Sequence, residues 1–179
     1  MGSTLLIGSC EPFSGKSALV LGIARHLRSS GRRVLFGKPL ATSLDLEPGE
    51  GVPPSPLIDD DVRFVGETLG LDERDLLPSL HLLSAHSGEQ RLADGLLTAG
   101  DGLEQLRSNL QQPDSGITLL EAAGSLHEGL LYGLSLVQLA RDLDAPVVLV
   151  HLWEDSRSVD ALLAAQQQLG ERLRGVVLN

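Results

Sequence analysis

Hydrophobic residues along this chain form short continuous runs that alternate with longer amphipathic segments. Continuous runs from Ser3 and at 32–39, 116–121, 146–150 and 175–179 predict buried strands. Apolar residues recur every three or four positions at 17–30, 58–69, 103–110, 130–143 and 157–172, which predicts helices. Four prolines and two glycines at 43–57 predict a loop. Buried strands alternating with helices predict an α/β fold, a three-layer sandwich whose mostly parallel sheet is covered by helices on both faces.

The segment that joins the first strand to the first helix ends in Gly15-Lys16-Ser17. A loop feeding a helix N-terminus directs backbone N–H groups at one point, where the helix dipole also favours an anion. Lysine would reach the phosphate oxygens, and the serine hydroxyl would bind Mg²⁺. The pattern predicts a phosphate-binding loop for a nucleoside triphosphate, although Cys10 stands where the usual first glycine would be. The alternative is a strand–turn–helix corner with one lysine.

Polar side chains follow two other predicted strands. Lys38 precedes Pro39 at the end of the second strand, and Glu121 ends the run at 116–121. Parallel strands place such residues at one edge of the sheet, where ligands bind. Glu121 would be costly to bury without a cation or donors, so it is a candidate metal ligand opposite Ser17. Lys38 is either a solvated lysine or a group that neutralises a transferred phosphate. The acids of Asp59-Asp60-Asp61 favour a helix start, and one of them could also hold Mg²⁺.

Composition restricts the partners. The net charge of −10 argues against nucleic acid and against an anionic membrane. No run reaches the ~18 apolar residues of a membrane span. The single cysteine excludes an internal disulfide, which fits a reducing cytoplasm. Cys10 could be a reactive thiol or a small residue that fills the loop. The 179 residues are most simply one domain.

The landmarks resemble, in the same order, those of the dethiobiotin synthetase fold, a branch of the P-loop NTPase class. They are IGSCEPFSGKS, FGKPLATS, DDDVRFV, LLEAAGS, APVVLV and GVVLN. The resemblance implies that Lys16 and Lys38 contact the transferred phosphate of ATP. It also implies a Mg²⁺ site of Ser17, Asp61 and Glu121, and a homodimer. The nucleotide-binding residues carried over by position are Glu11, Ser14, Gly15, Lys16, Ser17, Ala18 and Asn179, the last of these at the adenine.

Two departures separate this chain from the biotin enzyme. Six residues, Ser9 to Ser14, replace most of its loop motif, and Ala122, Ala123 and Ser125 stand where it has glycines beside the substrate. In both features the chain is more similar to the dethiobiotin-synthetase-like N-terminal domain of long phosphotransacetylases. The leading hypothesis is therefore a Mg-ATP-binding regulatory module, residues 1–179, at the start of a longer protein. The alternatives are an ATP-dependent ligase of the synthetase type and an interaction domain that has lost nucleotide binding.

Overall fold

The structure is a computed structural model that describes residues 3–42, 56–82, 93–95, 100–110 and 116–179. Residues 43–55 of the predicted loop at 43–57 lie outside this part of the chain. The strands are β1 Ser3–Ser9, β2 Val34–Gly37, β3 Leu40–Ala41, β4 Leu76–Leu77, β5 His81–Leu82, β6 Ile117–Glu121, β7 Val147–His151 and β8 Leu173–Leu178. The helices are α1 Lys16–Ser29, α2 Asp60–Leu69, α3 Asp101–Leu110, α4 Leu136–Asp142 and α5 Ser158–Leu169. Short 3-10 helices occupy Glu73–Asp75, Leu130–Tyr132 and Gly170–Arg172.

Six strands form one sheet in the order β4-β2-β6-β1-β7-β8, and every pairing in it is parallel. β1 lies inside the sheet, where Leu6 is opposite Leu120 of β6 and Val147 of β7. β3 and β5 form a separate parallel pair. The carboxyl ends of parallel strands meet at one edge, so the segments that follow β1, β2 and β6 emerge side by side.

Two hydrophobic cores cover the two faces of the sheet. Side chains alternate along each strand, so Leu6 joins one core while its neighbour Ile7 joins the other. Ile7 packs with Val20 of α1 and Val65 of α2. Leu6 lies in the core to which helices α3, α4 and α5 contribute. The prediction of a three-layer α/β sandwich is confirmed.

The predicted helix at 130–143 is wrong at its N-terminal end. Gly129 and Gly133 have φ values of +90° and +73°, which break an α-helix, and only a 3-10 turn lies between them. α4 begins after Ser135, whose hydroxyl accepts a hydrogen bond from the Gln138 backbone N–H in a capping box. The leucines at 130–134 favour a helix, but the positive φ values of the two glycines determine the backbone conformation here.

The described residues include no helix that is both long and apolar enough to cross a bilayer.

Candidate functional site: a cleft at the carboxyl edge of the sheet

The loop between β1 and α1 has the geometry of an anion-binding turn. Gly15 is the N-cap of α1 with a φ of +98°, a conformation that favours glycine. A Cβ atom at this position would lie 2.9 Å from Asn179 Nδ2, so space as well as backbone conformation requires glycine. None of the described side chains caps α1, so its first backbone N–H groups remain available to an anion.

A cleft of about 720 Å³ lies over this loop and the ends of β2 and β6. The chain has only two lysines, Lys16 and Lys38, and both line it. Eight of the ten predicted site residues are among its walls: Ser14, Gly15, Lys16, Ser17, Ala18, Lys38, Asp61 and Glu121. Pro12, Phe13, Thr42, Ala122, Ala123, Gly124 and Glu128 complete the lining.

Lys16 is held close to the loop. Its Nζ donates to Ser9 Oγ at 3.0 Å, and the side chain is largely buried. Ser9 Oγ lies within donating distance of Glu11 O, at 2.7 Å, and of Gly124 O, at 3.0 Å. Burial lowers the pKa of Lys16, although the charge of Glu121 opposes this effect. A cation without a direct carboxylate partner among the described residues therefore faces the cleft.

Ser17 and Glu121 meet across the cleft. Ser17 Oγ donates to Glu121 Oε1 at 3.2 Å. Glu121 is only 2% exposed, and its Oε2 has no hydrogen-bond partner within the described residues. Burial raises the pKa of Glu121 to about 7, against the opposing charges of Lys38 and Lys16. A buried carboxylate oxygen without a partner fits a bound cation, which would supply the missing interaction.

Lys38 is bound by two carboxylates of the α2 start. Its Nζ lies 2.6 Å from Asp61 Oδ2, 3.2 Å from Asp59 Oδ1 and 2.5 Å from Thr42 Oγ1. Burial alone would lower the pKa of Lys38, but the hydrogen bond to Asp61 and the charges of Asp59 and Glu121 raise it. Lys38 is therefore charged and fixed at the cleft, in contrast to the solvated lysine that the sequence left open.

The other two predicted nucleotide-binding residues, Glu11 and Asn179, lie outside the cleft walls. Glu11 Oε1 accepts a hydrogen bond from Leu152 N at 2.7 Å, and its Oε2 lies 2.8 Å from His151 Nδ1 at the end of β7. Asn179 Nδ2 donates to Ser14 O at 3.0 Å. Both residues thus tie the phosphate loop to neighbouring strands, and Asn179 does so from 165 positions away in the sequence.

Several residues of the site gave no usable signal in the sequence. Thr42 contacts Lys38 and Ser9 accepts from Lys16, but neither belongs to a motif with a fixed spacing. The acidic run at 59–61 did not indicate that Asp59 pairs with Lys38. Glu128 accepts a hydrogen bond from Gly124 N and closes one wall of the cleft. Glu128 lies in an irregular segment after β6, where neither periodicity nor spacing indicates which way a side chain points.

Cys10 lies in an environment that disfavours its thiolate form. Burial, with a contribution from the charge of Glu11, raises the pKa of Cys10 to about 11. Thiolate is the nucleophilic form of cysteine, and it is scarce at neutral pH when the pKa is so high. Of the two interpretations of Cys10, the structure favours the unreactive one for the protein as described.

Comparison with solved structures places the fold in a known class. Signal recognition particle receptor FtsY from Elizabethkingia anophelis, in complex with GDP, matches 99% of this chain with a TM-score of 0.53 and 14% identity. Chloroplast FtsY from Physcomitrella patens matches 99% with a TM-score of 0.52 and 14% identity. The chain covers 48% and 50% of these two receptors, about half of their length. The kinase domain of Escherichia coli tyrosine kinase ETK matches 99%, with a TM-score of 0.50, 16% identity and 67% of its own length covered.

A family model described as an AAA domain matches residues 3–179. The match begins at the first residue of β1 and includes the loop, Lys38, Glu121 and the end of β8. It extends over nearly the whole sequence, well beyond the loop motif. Together with the parallel sheet and the Gly15-Lys16-Ser17 turn, it assigns the chain to the AAA domain family, as a P-loop NTPase-type domain.

Proposed function

We propose that this domain binds Mg-ATP in the cleft and acts as a regulatory or sensor module of a larger phosphotransacetylase-related protein. The observation that carries the nucleotide site is the unpartnered Glu121 oxygen opposite Ser17, in the same cleft as Lys16. A buried anion, a hydroxyl and a lysine at a glycine-capped helix N-terminus are the groups that a metal–triphosphate complex needs.

The proposed roles follow from chemistry and placement. Backbone N–H groups of Gly15, Lys16 and Ser17 would bind the phosphates, and Lys16 would leave Ser9 to reach the outer oxygens. Ser17, Asp61 and Glu121 would hold Mg²⁺, whose charge neutralises the triphosphate and the acidic wall. The acidic chain offers no basic field, so attraction of the nucleotide rests on these local groups. The predicted contact of Asn179 with adenine and the predicted homodimer remain proposals.

Calorimetric titration with ATP in the presence of Mg²⁺ tests the site. We expect Lys16→Ala to weaken binding about 10- to 100-fold, because hydrogen bonds to charged groups contribute ~1.5–3 kcal/mol. Arg25→Ala is the matched control, since Arg25 is an exposed cation on the same helix α1 and lies outside the cleft walls. No heat of binding with the wild-type protein at millimolar Mg-ATP would eliminate the proposal, and equal affinity in Lys16→Ala would eliminate the assigned site.

Protection of lysines gives a second measurement. Because both lysines of the chain line the cleft, acylation of lysine side chains reports on this site alone. We expect Mg-ATP to protect Lys16 from an acylating reagent, as followed by mass spectrometry. The α-amino group of the chain is an internal reference whose acylation should not change.

A ligase of the dethiobiotin synthetase type is the second candidate. It is favoured by Lys38, which brings a second cation into the cleft with Lys16, as phosphoryl transfer to a second substrate would need. Ala122 and Ala123, which stand in place of that enzyme's glycines, also line the cleft and argue against its diamine substrate. Phosphate release from ATP upon addition of diaminopelargonic acid and bicarbonate would favour the ligase, and its absence alongside intact ATP binding would favour the regulatory module.

A further inference from the structure

A second group of side chains lies beside the phosphate loop, away from the nucleotide cleft. Cys10 and Glu11 follow β1, and His151 ends β7. One ligand atom from each of these three residues lies within 4.8 Å of the other two. The three residues are brought together by the pairing of β1 with β7, in which Ser9 is opposite Val150. Adjacent parallel strands therefore place all three donors at one point of the sheet edge.

The imidazole of His151 lacks hydrogen-bond partners among the described residues. The residue is 4% exposed, and within the described part of the chain neither of its ring nitrogens makes an aligned hydrogen bond. Its Nδ1 lies 2.8 Å from Glu11 Oε2, at hydrogen-bond distance but without hydrogen-bond alignment. Within the described residues Nε2 has no partner at all, and a buried polar nitrogen left in this state is costly and rare in folded proteins. A cation between the imidazole, the carboxylate and the thiol would supply the partner that the imidazole lacks.

Glu11 is already oriented for this task. Its Oε1 accepts the Leu152 backbone N–H at 2.7 Å, which leaves Oε2 directed to His151. Backbone hydrogen bonds of this kind fix a ligating carboxylate in metal sites. The contact also keeps Glu11 away from the nucleotide cleft, whose walls do not include it.

The donor set selects the type of metal. Sulfur, imidazole nitrogen and carboxylate oxygen together suit Zn²⁺ and similar transition metals, whereas Mg²⁺ and Ca²⁺ prefer oxygen alone. Three protein ligands leave one position of a tetrahedral site open. A cleft of about 380 Å³ adjoins Glu11 and His151, with Glu154 and Asp155 on its walls, so an ion and a water molecule have a route to the site.

We propose that Cys10, Glu11 and His151 form a site for a divalent transition metal of the Zn²⁺ type. When the ion binds, a metal–sulfur bond forms at Cys10 and the thiol proton passes to solvent. The fourth ligand is water from the adjoining cleft. The ion fastens the first two residues of the phosphate loop to the end of β7.

Titration with Co²⁺ tests the proposal, because cobalt in a thiolate site gives a sulfur-to-metal charge-transfer band in the near ultraviolet. The chain has a single cysteine, so such a band can arise only from Cys10. We expect one Co²⁺ per chain, displaced by Zn²⁺, without any nucleotide present. Cys10→Ser should abolish the band. His151→Gln and Glu11→Gln should each weaken Co²⁺ binding by about tenfold or more, judged from the effects of altering metal-site residues.

His127→Gln is the matched control, because His127 is exposed and should leave the titration unchanged. Circular dichroism of each variant establishes that it is folded, and Cys10→Ser and Glu11→Gln change the volume least. Two results would overturn the proposal. One is the absence of a thiolate band at saturating Co²⁺. The other is a band of equal affinity in folded His151→Gln and Glu11→Gln, which would show adventitious binding to the thiol. Because nucleotide is absent, neither result bears on the proposed ATP site.

Discussion

Replacement of Asp59 by alanine tests the polar cluster that fixes Lys38 at the cleft. Asp59 is fully buried, and three contacts of its carboxylate connect separate segments of the chain. Oδ1 accepts from Asp61 N at 2.9 Å, as the N-cap of α2, and lies 3.2 Å from Lys38 Nζ. Oδ2 accepts from Thr42 N at 2.7 Å. One side chain thus joins the end of β2, the start of α2 and the segment after β3.

The expected loss of stability is set by the ion pair. Loss of an N-cap costs about 1 kcal/mol, and an orphaned backbone N–H at Thr42 costs about 1–3 kcal/mol. Removal of one partner from a buried ion pair costs about 3–5 kcal/mol. These contributions overlap, and Lys38 keeps Asp61, so we expect Asp59→Ala to lower the free energy of unfolding by about 3–5 kcal/mol. Asp59→Asn keeps a capping oxygen and should lose about 1 kcal/mol less.

Urea unfolding followed by circular dichroism measures both variants. Asp72→Ala is the matched control, because Asp72 is an exposed N-cap without a side-chain capping bond, and its ion pair with Arg74 is on the surface. It should change stability by no more than about 0.5 kcal/mol. A loss below about 1 kcal/mol in Asp59→Ala, no larger than that of Asp72→Ala, would refute the reasoning about the buried pair.

Three further predictions concern single positions. Because the folded pKa of Glu121, about 7, lies above its ordinary value of about 4.5, the folded state binds the extra proton between these values, and the free energy of unfolding should fall as pH rises through this window. In metal-free buffer, Glu121→Gln should remove about 2.5 kcal/mol of that fall between pH 5 and pH 8, which urea titrations at both pH values would measure. Gly133→Ala should cost more than Gly31→Ala in thermal melting. Both glycines have positive φ, but a Cβ at Gly133 would lie 2.8 Å from Gly100 Cα, whereas no atom lies within 4 Å of one at Gly31. Gly15→Ala should weaken Mg-ATP binding in calorimetry by displacing the Asn179 side chain from the loop, and unchanged affinity would contradict this account.

Much of the fold could be predicted from local patterns. Continuous apolar runs predicted β6 and β7 to within one or two residues and β1 at its start, because strands buried on both faces need apolar side chains at every position. The Gly15-Lys16-Ser17 turn was predicted from residue types alone, since few residues tolerate a φ of +98°. The start of helix α4 was predicted wrongly, because the leucines at 130–134 favour a helix while Gly129 and Gly133 prevent one.

The candidate site could be predicted only in part. Rules about strand ends correctly brought Lys16, Lys38 and Glu121 to one cleft. These rules could not show which carboxylates pair with Lys38. Asp59, Asp60 and Asp61 are consecutive, and only the backbone conformation at the start of α2 decides which side chains point toward the lysine. Nor could they show that the Glu11 side chain points away from the cleft, because the backbone conformation of the loop decides which way each of its side chains points.

The sequence by itself determined the order of elements, the layered α/β architecture and the glycine-capped loop, because these depend on periodicity and on local backbone conformation. Only the tertiary structure decided the contacts that join distant segments: Ser17 with Glu121, Asn179 with Ser14, and His151 with Glu11. Such contacts follow from strand order, and the order β6-β1-β7 at the centre of the sheet is a result of global packing. Local propensities carry no information about it, because any neighbouring strand would satisfy the same backbone hydrogen bonds.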